Sequence, residues 1–184
     1  ASNLEVAASL GSSVHNVQVL VDRADGEPAS NEDVVNFYET ALELGNKHGV
    51  MPCLEVHVNM WSEDFRRVTP VGKLAEARGL PFHMTLDHSH VIFKIDNPVE
   101  QEVFDIRDDV EAGKLILDPF ADGDVCNEWI GQNWVGHCHA RSAIPGNPRN
   151  TDARDENGDP GRGIQYPFAQ PAPGTWSRDG SPDW

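Results

Sequence analysis

Positive charge is scarce in this sequence. Fourteen Lys and Arg stand against thirty Asp and Glu in 184 residues, a formal charge of −16. So acidic a surface repels a polyanion, and nucleic acid is not an expected partner. Long apolar stretches are lacking as well. None reaches the roughly 18 residues of a membrane span, and no basic-then-apolar leader is visible, so neither a membrane segment nor a signal peptide is expected. Cysteine is limited to Cys53, Cys126 and Cys138, an odd and widely spaced set without a Cys-x-x-Cys pair. Cys53 and Cys138 lie in apolar runs, which points to buried, reduced thiols and a cytoplasmic protein.

The chain is long enough for one domain with a real core. Strand-like runs alternate with helical ones. Val14–Val21, Met51–Asn59, Pro81–His90 and Trp134–His139 read as strands. A helix is expected over Asn31–His48, capped by Ser30 or Asn31 and ended by Gly45 or Gly49, and another over Pro70–Arg78 before Gly79. The first residues read as the end of a helix closing at Gly11, and Asn97–Gly113 as polar chain with helical turns. This β-helix-β rhythm predicts an α/β fold of parallel strands, buried on both faces and joined by right-handed crossovers. From Ala143 onward Pro and Gly dominate, so residues 1–143 form the expected domain and 144–184 a loop-rich segment over or beside the site.

Three of the strand-like runs end in ligand-type side chains. Leu54-Glu55-Val56-His57 puts a carboxylate among apolar neighbours, where it is costly unless paired or metal-bound. His57, two residues on, shares its side of a strand, as second partner or substrate contact. Met84-Thr85-Leu86-Asp87-His88-Ser89-His90 delivers Asp87 and, three residues later, His90, whereas His88 faces away as a structural residue and His83 reads as a core or surface histidine. Gly136-His137-Cys138-His139-Ala140-Arg141 places His137, His139 and Arg141 on one face by period two. Carboxylates with imidazole make a hard donor set, suited to Mn²⁺, Mg²⁺ or Co²⁺, and to Zn²⁺ as well. Trp61 is placed to stack on a sugar or to pack its loop, and His15 and His48 have no role in this pattern. Asp105–Glu111 reads as a solvated face, and the Gly-rich stretch around Gly158–Gly163 lacks the strand–turn–helix setting of a phosphate loop.

With those strand ends in place, the chain resembles the sugar isomerase and epimerase superfamily built on the xylose-isomerase-like TIM barrel. The resemblance rests on the Glu55 strand end, Leu86–His90, Gly136–His139 and the later Pro160-Gly161-Arg162-Gly163-Ile164-Gln165-Tyr166. It implies Glu55, Asp87 and His139 as ligands of a divalent metal, with Glu55 also moving a proton beside a carbonyl. His90 becomes a catalytic substrate contact, and His57, Trp61, His137 and Arg141 line the substrate. The implied reaction is isomerisation or epimerisation of a sugar or related hydroxy-carbonyl compound. A metal phosphodiesterase of the same fold, or a degenerate barrel without activity, are the competing classes.

The resemblance covers strands four to seven of eight, whereas such barrels run to about 250 residues. The last Glu is Glu156, so the family's strand-eight Glu ligand has no counterpart. The chain is therefore expected to be a piece of a longer protein, or to be completed by a second copy, because four parallel strands leave open edges.

Overall fold

The computed structural model describes residues 2–141, 145, 149–154, 156–158 and 160–164. Two compact units divide them. One takes the residues up to Leu86 together with Cys126–His139, the other takes Asp87–Val125 and the residues from Ala140 on.

Helix α1 (Asn3–Ser9) begins on the Ser2 side chain, and the backbone turns at Gly11 with φ +78°. Strand β1 (Val14–Val17) follows, then α2 (Asn31–His48), over the predicted residues. Ser30 is the N-cap: its hydroxyl accepts from the Asp33 N–H while the Asp33 carboxylate accepts from the Ser30 N–H. This reciprocal pair satisfies two donors that a helix start leaves open. Gly49, not Gly45, closes the helix in the left-handed conformation that favours glycine. Gly45 is inside, pressed on Pro52.

Strands β2 (Met51–Glu55) and β3 (Met84–Asp87) flank helix α3 (Val68–Ala77), and two short 3-10 turns, Trp61–Glu63 and Phe65–Arg67, precede that helix. Further along the chain, β4 (Val135–His139) completes a four-stranded, all-parallel sheet in the order β1-β2-β3-β4. Register pairs Asn16 with Cys53, Leu54 with Met84 and Glu55 with Thr85. The fold class is thus α/β, as predicted. The strands are shorter than expected: β1 stops at Val17, β2 at Glu55 and β3 at Asp87.

Only the two central strands are buried along nearly their whole length. β1 and β4 are half-exposed edges. Cys138 is therefore exposed, a correction to the expectation of a buried thiol, whereas Cys53 and Cys126 are buried. Helix α2 lays Val34, Val35, Tyr38, Ala41 and Leu42 inward. Each large apolar side chain so buried stabilises by about 1.5–3 kcal/mol. A chain of edge-to-face rings, Tyr38 to Phe82 to Trp134, runs on from it. Gly72 of α3 lies under Trp134: a Cβ there would stand 2.6 Å from the ring, so only glycine lets the helix sit this close.

The sheet is curled. Neighbouring strands are about 4.8 Å apart, so in a flat sheet β1 and β4 would be separated by about 14 Å. Yet the side chains of Asn16 on β1 and His139 on β4 meet at 3.1 Å, and a Cβ on Gly136 would touch Met51 and Cys53 of β2.

The other unit holds short helices α4 (Ser89–Ile92), α5 (Pro98–Gln101) and α6 (Arg107–Glu111), the last two within the stretch expected to contain helical turns. Lys94 is fully buried there, its ammonium donating to the Glu100 carbonyl at 2.9 Å. α7 (Val125–Gly131) occupies the run before β4. Within the stretch read as loop, β5 (Arg149–Arg154) and β6 (Pro160–Ile164) form an antiparallel pair with register shifts. Gln165 and Tyr166 of the resemblance lie outside the described residues. Among those residues, no helix is long and apolar enough to cross a membrane.

Candidate metal centre

Glu55, Asp87 and His139 are the last residues of β2, β3 and β4. In a parallel sheet, side chains at the carboxyl ends of successive strands converge, which is where α/β folds place their ligands. Each of the three offers one ligand atom, and these atoms lie within 4.8 Å of one another. Oxygen or nitrogen donors about 2.1 Å from an ion stand up to about 4.2 Å apart, so a small closing movement would let them share one. Glu55 and Asp87 are buried, 4 % and 0 % exposed, and His139 is half-buried. Two buried carboxylates with one imidazole fit a hard divalent cation.

Both carboxylates are held by neighbouring side chains. Gln18 donates from Nε2 to Glu55 Oε2 at 2.7 Å, and His139 Nδ1 stands 3.1 Å from Glu55 Oε1. Asn16 bridges His139 Nε2, at 3.1 Å, to the Thr85 hydroxyl, at 2.5 Å. Asp87 Oδ1 accepts from the Ser89 hydroxyl at 2.5 Å, while Arg141 Nε lies 2.9 Å from Asp87 Oδ2. The charge-assisted Arg141 bond offsets part of the cost of burying Asp87. Below this layer, burial pushes the Cys53 thiol up to about 11, with the Thr85 hydroxyl acting the other way.

His90 is buried beside Asp87, with Nε2 at 3.6 Å from Oδ2. Arg141, expected on the substrate, turns its guanidinium to Asp87, and its carbonyl meets His88 Nε2 at 2.8 Å. His137 is exposed, its ring edge-on to His139 at 5.1 Å, as period two predicts. Two expectations need correction. His57 does not share a strand face with Glu55, because β2 ends at Glu55; its Nδ1 turns instead to the Val58 carbonyl at 2.7 Å. Trp61 is buried, 1 % exposed, with the Arg67 guanidinium over its ring, so it packs its loop and presents no open face for a sugar.

Asn16, Gln18, Thr85 and Ser89 were not singled out from the sequence. The signal that marked Glu55 marks Asn16 and Gln18 too: polar side chains two apart at the end of a Val-rich strand.

No family model matches the chain, and no curated protein or solved structure is found to be similar to it.

Proposed function

We propose that this chain carries the metal site of a divalent-metal-dependent isomerase or epimerase acting on a sugar or a related hydroxy-carbonyl compound. The convergence of Glu55, Asp87 and His139 at three strand ends is the observation that carries the reading. Curling of the sheet supports a barrel-type α/β fold, of which these strands are a part. Free thiols at Cys53, Cys126 and Cys138 suit the reducing cytoplasm.

Glu55, Asp87 and His139 would hold the ion. When bound, it would supply Lewis-acid polarisation of a carbonyl, which acidifies the C–H of the adjacent hydroxyl-bearing carbon. Glu55 is the base for that proton. Its Oε2 is fixed by Gln18 and its Oε1 by His139, so the carboxylate cannot rotate away from the reacting carbon. Isomerisation needs the proton returned to the neighbouring carbon from the same side, and one carboxylate suffices for that. Inversion at a single carbon needs a second acid on the other side. Asp87 pairs with Arg141 and is oriented by Ser89. His90, buried against Asp87, contributes its imidazole to orienting the substrate's hydroxyls.

Metal content of the purified chain is the direct test, with Glu55→Ala, Asp87→Ala and His139→Ala as controls. About one divalent ion per chain, lost in all three, supports the site. Solvent-deuterium uptake by a panel of ketoses and aldoses then tests the reaction. A folded chain that takes up no metal would sink the reading.

A further inference from the structure

The two oxygens of Glu55 stand in different surroundings. Oε1 lies 3.1 Å from Nδ1 of His139. Oε2 accepts from the Gln18 amide at 2.7 Å, and among the described residues Gln18 is its hydrogen-bond partner. The two side chains meet by register: one step past the paired residues Val17 and Leu54, Gln18 lies opposite Glu55 and shares its face of the sheet. The backbone beneath is tied as well, since the Glu55 carbonyl accepts from the Ser62 hydroxyl at 2.7 Å.

A residue that both ligates an ion and moves a proton needs its oxygens kept apart. Donors about 2.1 Å from an octahedral ion, and at right angles to one another, stand about 3.0 Å apart. The 3.1 Å between Oε1 and Nδ1 matches that edge, so Oε1 is the oxygen placed to bind. A carboxylate can also chelate through both oxygens, and Glu55 would then have neither left for a proton. Chelation would draw Oε2 toward the ion and away from the Gln18 amide. That bond is of the charge-assisted kind, about twice as strong as a neutral one. Held there, Oε2 still has a lone pair to receive a proton.

We propose that Gln18 is a positioning residue that divides the Glu55 carboxylate between its two tasks: by holding Oε2 it leaves Oε1 alone to ligate the ion and keeps Oε2 for the substrate's proton. The proposal rests on the metal reading above and deepens it. Gln18 is exposed, so its replacement removes the bond with little disturbance of the packing.

The test loads the intact chain with Mn²⁺ alone and compares crystal structures of wild type and Gln18→Met, since methionine keeps the length of glutamine but donates nothing. Wild type is expected to bind the ion through Oε1 at about 2.1 Å, with Oε2 still on the Gln18 amide. In Gln18→Met both oxygens should sit on the ion and Mn²⁺ should bind at least as tightly. Solvent-deuterium exchange on the panel of ketoses and aldoses should meanwhile slow by about 10²-fold or more. Visible absorption of bound Co²⁺, which weakens as ligands are added, reads the same change in solution. Both oxygens on the ion in wild type, or Oε1 alone in Gln18→Met, overturns the proposal and leaves the metal reading standing. So does exchange at the wild-type rate, or a loss of Mn²⁺ affinity in step with exchange, which would make Gln18 a support of the ion itself. A folded wild-type chain that takes up neither Mn²⁺ nor Co²⁺ overturns the metal reading, and the proposal with it.

Discussion

His139 Nδ1 lies 3.1 Å from Glu55 Oε1, although the strands that bear them are separated in the sheet by β3. The contact gathers the ends of β2 and β4 into one cluster across β3. It also makes Glu55 the residue on which the proposed metal holding and proton transfer converge.

Glu55→Gln keeps the shape of the side chain and removes the base. Proton transfer by a positioned side chain contributes about 10²- to 10⁴-fold, so solvent-deuterium exchange should fall by at least that range, and metal content should fall with it. Exchange at the wild-type rate in the variant would show that another group moves the proton.

Gly72→Ala forces a methyl group into the Trp134 ring. Overpacking of this kind costs about 1–3 kcal/mol. Urea unfolding should show a lower midpoint with an unchanged slope, together with altered Trp fluorescence of the native state.

Ser30→Ala removes the cap of α2 and should lower stability by about 1 kcal/mol. The same box is sensitive to acid. Bonds from the Ser30 hydroxyl and then the Ser30 backbone hold the Asp33 carboxyl below its ordinary 3.8. Its contribution is present above that value and is lost as the pH falls through the depressed folded-state pKa. The difference in stability between wild type and Ser30→Ala should narrow over that acidic window.

Burial holds the His83 imidazole below its ordinary 6.5. Above 6.5 neither state binds the proton and the group contributes nothing to the slope. Below it the unfolded chain binds a proton that the native chain does not, so stability falls with pH until the folded-state pKa is reached. His83→Gln should flatten the pH dependence just below 6.5, which chemical denaturation at a series of pH values will measure.

Exposure separates the three thiols. Cys138 should react with an alkylating reagent in the native protein, whereas Cys53 and Cys126, both buried, should react only on unfolding. Mass mapping of the modified positions checks this, and fast labelling of Cys53 would contradict the packing.

Local signals in the sequence determined much of the scaffold. Ser30, Asp33 and Gly49 delimit α2 because capping and left-handed glycine act within a few residues of chain. The apolar runs of β2 and β3 mark a parallel α/β sheet for the same reason, and the placing of Glu55, Asp87 and His139 at strand ends was legible because charged groups in apolar strands need partners. What the chain could not display locally was decided by its tertiary packing. Curvature of the sheet, which brings Asn16 of β1 to His139 of β4, depends on contacts such as Gly136 against Met51 and Cys53, residues more than 80 positions apart. His57 and Trp61 looked like site residues by spacing, but β2 ends two residues before His57 and the core encloses Trp61. Spacing along a strand fixes which side chains share a face; only the packed fold decides where the strand stops and which of its neighbours are buried.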